Sequence, residues 1–208
     1  AADRNPWGRP EVLQTECPGL SRLQWLSMSD TVTPPEDEVV RICQELIRID
    51  TSNYGDGSGP GEAAAADYVV GLLREVGLEP RTFESDPGRV SVAVRLPGAD
   101  RERGALCVHG HLDVVPANAA DWSVDPFAGE ERDGCVWGRG AVDMKDMDAM
   151  MLAVVRHLAR TGTVPPRDLV VVFFADEEAG GTKGSHFLVD NHPEVFEGVT
   201  EAISEVGG

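Results

Sequence analysis

The chain is short of basic side chains: 18 Lys and Arg stand against 36 Asp and Glu, a formal charge of −18 over 208 residues. That deficit argues against nucleic acid and anionic membrane surfaces as partners, because both require a positive face. Cysteine is also scarce. Cys17, Cys43, Cys107 and Cys135 have no C-x-x-C spacing, so neither a disulfide framework nor a zinc knuckle is indicated. Cys43 and Cys107 fall in apolar runs and read as small core residues. No apolar stretch approaches the roughly 20 residues of a membrane span, and the N-terminus lacks the apolar core of a secretory signal. A reducing cytoplasm is therefore the expected compartment. Internal repeats and low-complexity tracts are absent too. What remains, 41% hydrophobic and 26% charged, suits a globular domain with a substantial core.

Residues 1–27 show no sustained period, whereas "MSDTVTPPEDEVVRICQELIRID" from Met28 reads like a protein start running into a helix. The expectation is an extension over 1–27 and a domain over 28–208. Pro35 and the acids after it suit a helix start, and Val39, Ile42, Cys43, Leu46 and Ile47 recur at three and four up to about Ile49. "TSNYGDGSGPG" reads as a loop, Ala64 to Val76 as a helix ended by Gly77, and "RTFES" and "VSVAVRL" as strands joined by a "DPG" turn. "GALCVHGHLDVVP" is a buried strand entering a polar loop. After a tryptophan- and glycine-rich stretch, Met147, Met150, Met151, Val154, Val155 and Leu158 mark a long helix. A strand over 169–175, a helix from about Lys183 to Asp190 and a last strand in "VTEAISEVGG" complete the pattern. Strands alternating with helices predict an α/β fold, a mostly parallel sheet with helices on both faces.

The run "VVVFFADEEAGG" drives Val170 to Phe174 into the interior and then meets Asp176, Glu177 and Glu178. Adjacent carboxylates where a buried strand emerges repel one another unless a cation sits between them or one keeps a proton. In open α/β sheets ligand sites lie beyond the carboxyl ends of strands, and four segments bring metal-type ligands there. They are "HGHLD" with His111 and Asp113, "WGRGAVDMKDM" with Asp143, "ADEE", and "ISEVGG" with Glu205. Singly, each has an ordinary explanation: a hydrogen-bonded core histidine, a helix-start acid, a solvated turn, a strand-end acid. Together, nitrogen and carboxylate ligands on one edge suit zinc or a similar divalent ion, and several carboxylates permit a bridge between two ions. Asp113 can accept a proton from the far nitrogen of His111 and fix its tautomer. His109 reads as structural and His157 as solvated, while neither His186 nor His192 is taken as a ligand. "GGTKGS" is no phosphate loop, since its Lys precedes the glycine it should follow.

"GHLDVVPA", "WGRGAVDMKDM", "FFADEEAGG" and "EVGG", in this order and spacing, resemble the di-zinc metallopeptidase and deacylase family of succinyl-diaminopimelate desuccinylase, acetylornithine deacetylase, aminoacylase and glutamate carboxypeptidase. The match covers roughly residues 36–208. The resemblance implies a zinc-dependent amidohydrolase or exopeptidase acting on N-acyl amino acids or small peptides, with two Zn2+ ions replaceable by Co2+ or Mn2+. It implies that His111 and Glu205 hold one ion, Glu178 the other, and Asp143 bridges them. Asp113 would orient His111, and Glu177 would be the general base. A cis peptide would follow Asp143. Members of that family are longer, with an inserted lid and dimerisation domain and a final zinc-binding histidine in the returning half. The chain thus corresponds to the N-terminal part, and the resemblance implies that a homodimer of the full-length protein would form through the absent domain. The 208 residues alone should hold at most one metal firmly and be inactive. The rival expectation is a non-catalytic domain that keeps the fold and binds without turnover.

Overall fold

Apolar residues recurring at three and four build three helices, and each buries that stripe against its neighbours or the sheet. Helix α1 spans Pro35–Arg48, with Pro35 at its first turn followed by Glu36, Asp37 and Glu38; α2 spans Ala63–Arg74 and α3 spans Lys145–Thr161. A short fourth helix, α4, covers Ser185–Asn191. A computed structural model describes residues 33–205. The expected extension over 1–27, the domain start at Met28 and Cys17 lie outside the described residues.

Five strands form the main sheet: β1 (Arg81–Asp86), β2 (Arg89–Leu96), β3 (Ala105–His111), β6 (Leu169–Phe174) and β7 (Val199–Ile203), in the order β1-β2-β6-β3-β7. β3 pairs in parallel with both β6 and β7, while β2 is antiparallel to both β1 and β6. Four strands therefore run one way and β2 alone runs against them. The "DPG" turn explains the reversal, because Gly88 supplies the positive φ of 82° that a tight hairpin connection needs.

The core has two layers. On one face Ile42, Leu46, Leu73 and Leu152 of the three long helices pack against Val92, Val94, Val171 and Phe173. On the other, Phe83, Cys107, Val170, Val172 and Phe174 meet Leu188 of α4 and Val195. The alternating members of β6 are thus buried on opposite faces, as its unbroken apolar run requires. A two-stranded hairpin, β4 (Glu130–Arg132) and β5 (Cys135–Trp137), stands apart in the tryptophan- and glycine-rich stretch and was not expected from the sequence.

The pairing register sets the site. His111 is level with Phe174, so both strands end together, and Ile203 of β7 is level with Val108. Three strands thus deliver their next residues to one edge. α3 begins there as well, at Lys145, two residues after Asp143.

Candidate metal centre

His111 is the last residue of β3 and is only 1% exposed. Its Nδ1 lies 2.9 Å from the main-chain carbonyl oxygen of Asp113. A carbonyl can only accept, so Nδ1 carries the proton, and Nε2 is bare in the neutral ring. Nε2 faces Asp143 Oδ1 at 3.2 Å, Glu177 Oε2 at 3.7 Å and Glu205 Oε1 at 3.7 Å. An acceptor nitrogen surrounded by acceptor oxygens needs either a second proton or a cation among them. Burial pulls the imidazole pKa down. The charges of Asp113 and Asp148, the Asp113 carbonyl and Glu177 more than offset that, and the net direction is upward.

Ligand atoms of His111, Asp143 and Glu205 all lie within 4.8 Å of one another. Bonds of about 2.1 Å in a tetrahedral zinc site put neighbouring ligands about 3.4 Å apart. The 3.2 Å and 3.7 Å separations from Nε2 bracket that edge, so one nitrogen and two carboxylates are spaced as a divalent ion's ligands would be. The Asp143–Met144 peptide is cis, as the resemblance implied. Met144 is buried beneath it, while the Asp143 side chain is 57% exposed.

The three acids after β6 take three directions. Asp176 has a left-handed backbone, φ 62°, and turns its side chain inward, 5% exposed. Glu177 points to His111, and Glu178 Oε1 accepts from the Val115 amide at 3.2 Å. Burial first, and then the charge of Asp143, push the Glu178 carboxyl above its ordinary range. Burial also raises Glu205, with Asp143 and Glu177 adding to it against the His111 charge. A cation would relieve this crowding.

Asp113 is fully buried, but its carboxylate is engaged elsewhere than expected. Oδ1 sits 3.6 Å from His111 Nδ1, and the carbonyl of the same residue is the nearer partner. The carboxylate instead accepts from the backbone amides of Glu177 and Glu178, both at 3.0 Å. Asp113 therefore reaches the imidazole through its main chain and the two glutamates through its side chain.

Three residues were missed in the sequence. Lys145, fully buried, donates from Nζ to Leu46 O at 2.9 Å and Ile49 O at 2.8 Å, tying the C-terminal end of α1 to the start of α3. Asn53, buried, donates from Nδ2 to Asp113 Oδ2 at 2.8 Å and to Asp176 Oδ1 at 3.1 Å. Their signals were weak: a lysine in the first turn of an amphipathic helix, an asparagine in a turn-dense loop, one acid among three. His109 lies edge-on to Phe174, as a structural histidine would. His192 meets Phe83 at a tilt and Phe187 edge-on, and its Nδ1 lies 3.6 Å from Glu194 Oε1, a carboxylate partner the sequence reading overlooked.

Residues 107–206 match the Peptidase family M20/M25/M40. Aminoacylase-1 of Sus scrofa is 36% identical over 155 residues, 74% of this chain and 37% of its own length. Cysteinylglycine-S-conjugate dipeptidase of Corynebacterium striatum is 34% identical over 176 residues, 82% of this chain and 37% of its own. The chain thus spans well under half the length of the curated relatives it matches. The crystal structure of human carnosine dipeptidase 1 superposes with a TM-score of 0.68 at 23% identity, covering 88% of this chain and 40% of that one, a likeness of fold. The strand-end cluster of His111, Asp143 and Glu205 falls inside the matched residues, and the chain belongs to the peptidase family M20/M25/M40.

Proposed function

We propose that the protein hydrolyses the amide bond of an N-acyl amino acid or a small peptide at a site holding two divalent ions. The observation that carries this is the bare Nε2 of His111 facing three carboxylate oxygens at 3.2–3.7 Å. His111 and Glu205 would hold one ion, Glu178 the other, and Asp143 would lie between them. Zinc, or Co2+ or Mn2+ in its place, would supply Lewis acidity towards the carbonyl and bring the pKa of water to roughly 7.

The chain's own residues do the rest. Glu177 stands outside the His111–Asp143–Glu205 trio yet within 3.7 Å of Nε2, and its side chain is 52% exposed. It can take a proton from the attacking water and deliver it to the leaving amine, a transfer that typically contributes ~10²–10⁴-fold. Asp113 orients His111 and anchors the backbone of Glu177 and Glu178. The named relatives, an aminoacylase and a dipeptidase, support this substrate class. A reducing cytoplasm suits the reading, since Cys43, Cys107 and Cys135 are free thiols. Among the described residues no helix is long and apolar enough to cross a membrane.

The test is a screen of the full-length protein with added zinc against N-acyl amino acids and dipeptides. Metal-dependent release of free amine is the expected result. Bound metal without turnover on either class would favour a non-catalytic binding domain instead.

A further inference from the structure

The segment 51–53 is stitched to the strand end that carries His111 and Asp113. Thr51 Oγ1 donates to Leu112 O at 2.6 Å, Val114 N to Thr51 O at 3.2 Å and Asn53 N to Val114 O at 2.9 Å. Asn53 itself is buried, and its side-chain amide makes four hydrogen bonds. Nδ2 donates to Asp113 Oδ2 at 2.8 Å and Asp176 Oδ1 at 3.1 Å. Oδ1 accepts from Arg89 Nη2 at 3.1 Å and Gly55 N at 3.0 Å. Two acceptors on one side and two donors on the other allow only one orientation of the amide.

Both carboxylates that Asn53 joins hold the backbone around the two glutamates. Asp113 accepts from Glu177 N and Glu178 N, and Asp176 Oδ2 accepts from Lys183 N at 2.9 Å, closing the turn that contains them. Asp113 is 0% and Asp176 5% exposed. Two buried carboxylates cannot face one another unaided, because each loses its hydration and repels the other. A neutral amide that donates to both resolves the conflict without a net charge. Behind it, the buried Arg89 is held by Glu62 at 2.5 Å. The arrangement runs from the start of β2 through one asparagine to the peptide amides of Glu177 and Glu178.

We infer that Asn53 is a positioning residue for Glu177 and Glu178, acting through Asp113 and Asp176. Its consequence for turnover rests on the hydrolytic reading above; its consequence for the backbone does not. Misplacing a reacting group by about 1 Å can cost ~10²-fold in rate, so a side chain that never meets substrate can still limit kcat.

Amide hydrogen exchange by NMR on the full-length protein, wild type against Asn53→Asp and Asn53→Ser, tests this. The aspartate keeps the acceptors for Arg89 and Gly55 and removes both donors. Exchange at Glu177 and Glu178 should quicken by about tenfold or more while Val171 and Val172 stay as in wild type. In steady-state assays kcat should fall about tenfold or more with KM changed by less than about twofold. If Asn53→Asp does not fold, Asn53→Ser decides on the same readouts. Unchanged exchange at Glu177 and Glu178, or equal quickening throughout the sheet, overturns the inference. So does quickened exchange at those amides with an unaltered kcat. A wild type that hydrolyses nothing would remove the proposed function, and the exchange data would still judge Asn53.

Discussion

Glu177 and Glu178 are adjacent in the chain yet point apart, one facing His111 and the other accepting from the Val115 amide; in the proposed function they would divide proton transfer and metal ligation between them. Glu177→Gln should therefore lower kcat by ~10²-fold or more with zinc content unchanged. Zinc analysis beside initial rates checks this; metal lost in the variant, or near-normal turnover, would show the roles reversed. Glu62 offers a pH-dependent test away from the site. Burial pushes its carboxyl up to about 7, outweighing Arg89, and the Asp113 charge adds to the rise. A carboxyl raised above its unfolded value of 4.5 contributes stability that is present at low pH and lost as pH rises through about 7. Unfolding free energies from urea titration should thus fall more between pH 5 and 8 for wild type than for Glu62→Gln, by an upper bound of ~3 kcal/mol. Parallel falls would place Glu62 outside this role. At this scale His111, Asp143 and Glu205 were legible because ligand-type residues at strand ends are unusual in combination. Asn53 was not, since its partners lie 60 and 123 residues away and an asparagine in a turn-dense loop already has a local explanation.

Hydrophobic periodicity located all four helices and the five strands of the main sheet, with ends displaced by a few residues. The hairpin β4–β5 escaped it. Asp133 and Gly134, at φ 56° and 75°, make the tight turn that such a dipeptide favours. The flanking residues Glu130, Glu131 and Arg132 carry charge in place of the alternation that marks a strand. What holds the pair is a guanidinium over a ring, Arg132 Cζ 4.5 Å from the Trp137 centroid, with Trp137 Nε1 donating to Arg132 O at 3.2 Å. Periodicity cannot see such contacts. The same holds for Lys145, whose ammonium satisfies two carbonyls at the end of α1. Lys145→Met keeps most of the volume and removes both donors, so it should lower unfolding stability by ~1–3 kcal/mol. Denaturant titration would measure it, and a variant as stable as wild type would mean those carbonyls find other partners.

For the molecule as a whole, sheet direction was legible because the helix-containing connections from β3 to β6 and from β6 to β7 return the chain in the same direction, whereas the hairpin at Gly88 reverses β2. The described residues bring His111, Asp143 and Glu205 together as ligands for one ion; in the proposed function a second would have only Asp143 and Glu178 among them. The 208-residue chain should accordingly retain at most one zinc after dialysis, hydrolyse amides negligibly, and lose that zinc in His111→Ala. Metal analysis decides; two firmly held ions, or one surviving the substitution, would sink the assignment. An ion that binds only the folded chain stabilises it, so zinc at a hundredfold its Kd should add ~2.7 kcal/mol of stability that a chelator removes.

β7 carries a further consequence, for how the chain behaves as a solute. Thr200, Glu201, Ala202 and Ile203 are exposed, and among the described residues no strand pairs with its outer side. Its unsatisfied amides and carbonyls are a template onto which another extended segment can add. Opposing this is the formal charge of −18, which repels copies of the chain over a Debye length of ~10 Å at 0.1 M salt but only ~3 Å at 1 M. Salt that protects most proteins from nonspecific contact should drive this one to associate. Sedimentation velocity across that range should show the weight-average mass rising with ionic strength. A mass that stays constant from about 0.1 M to about 1 M salt would show that this edge does not recruit a second copy.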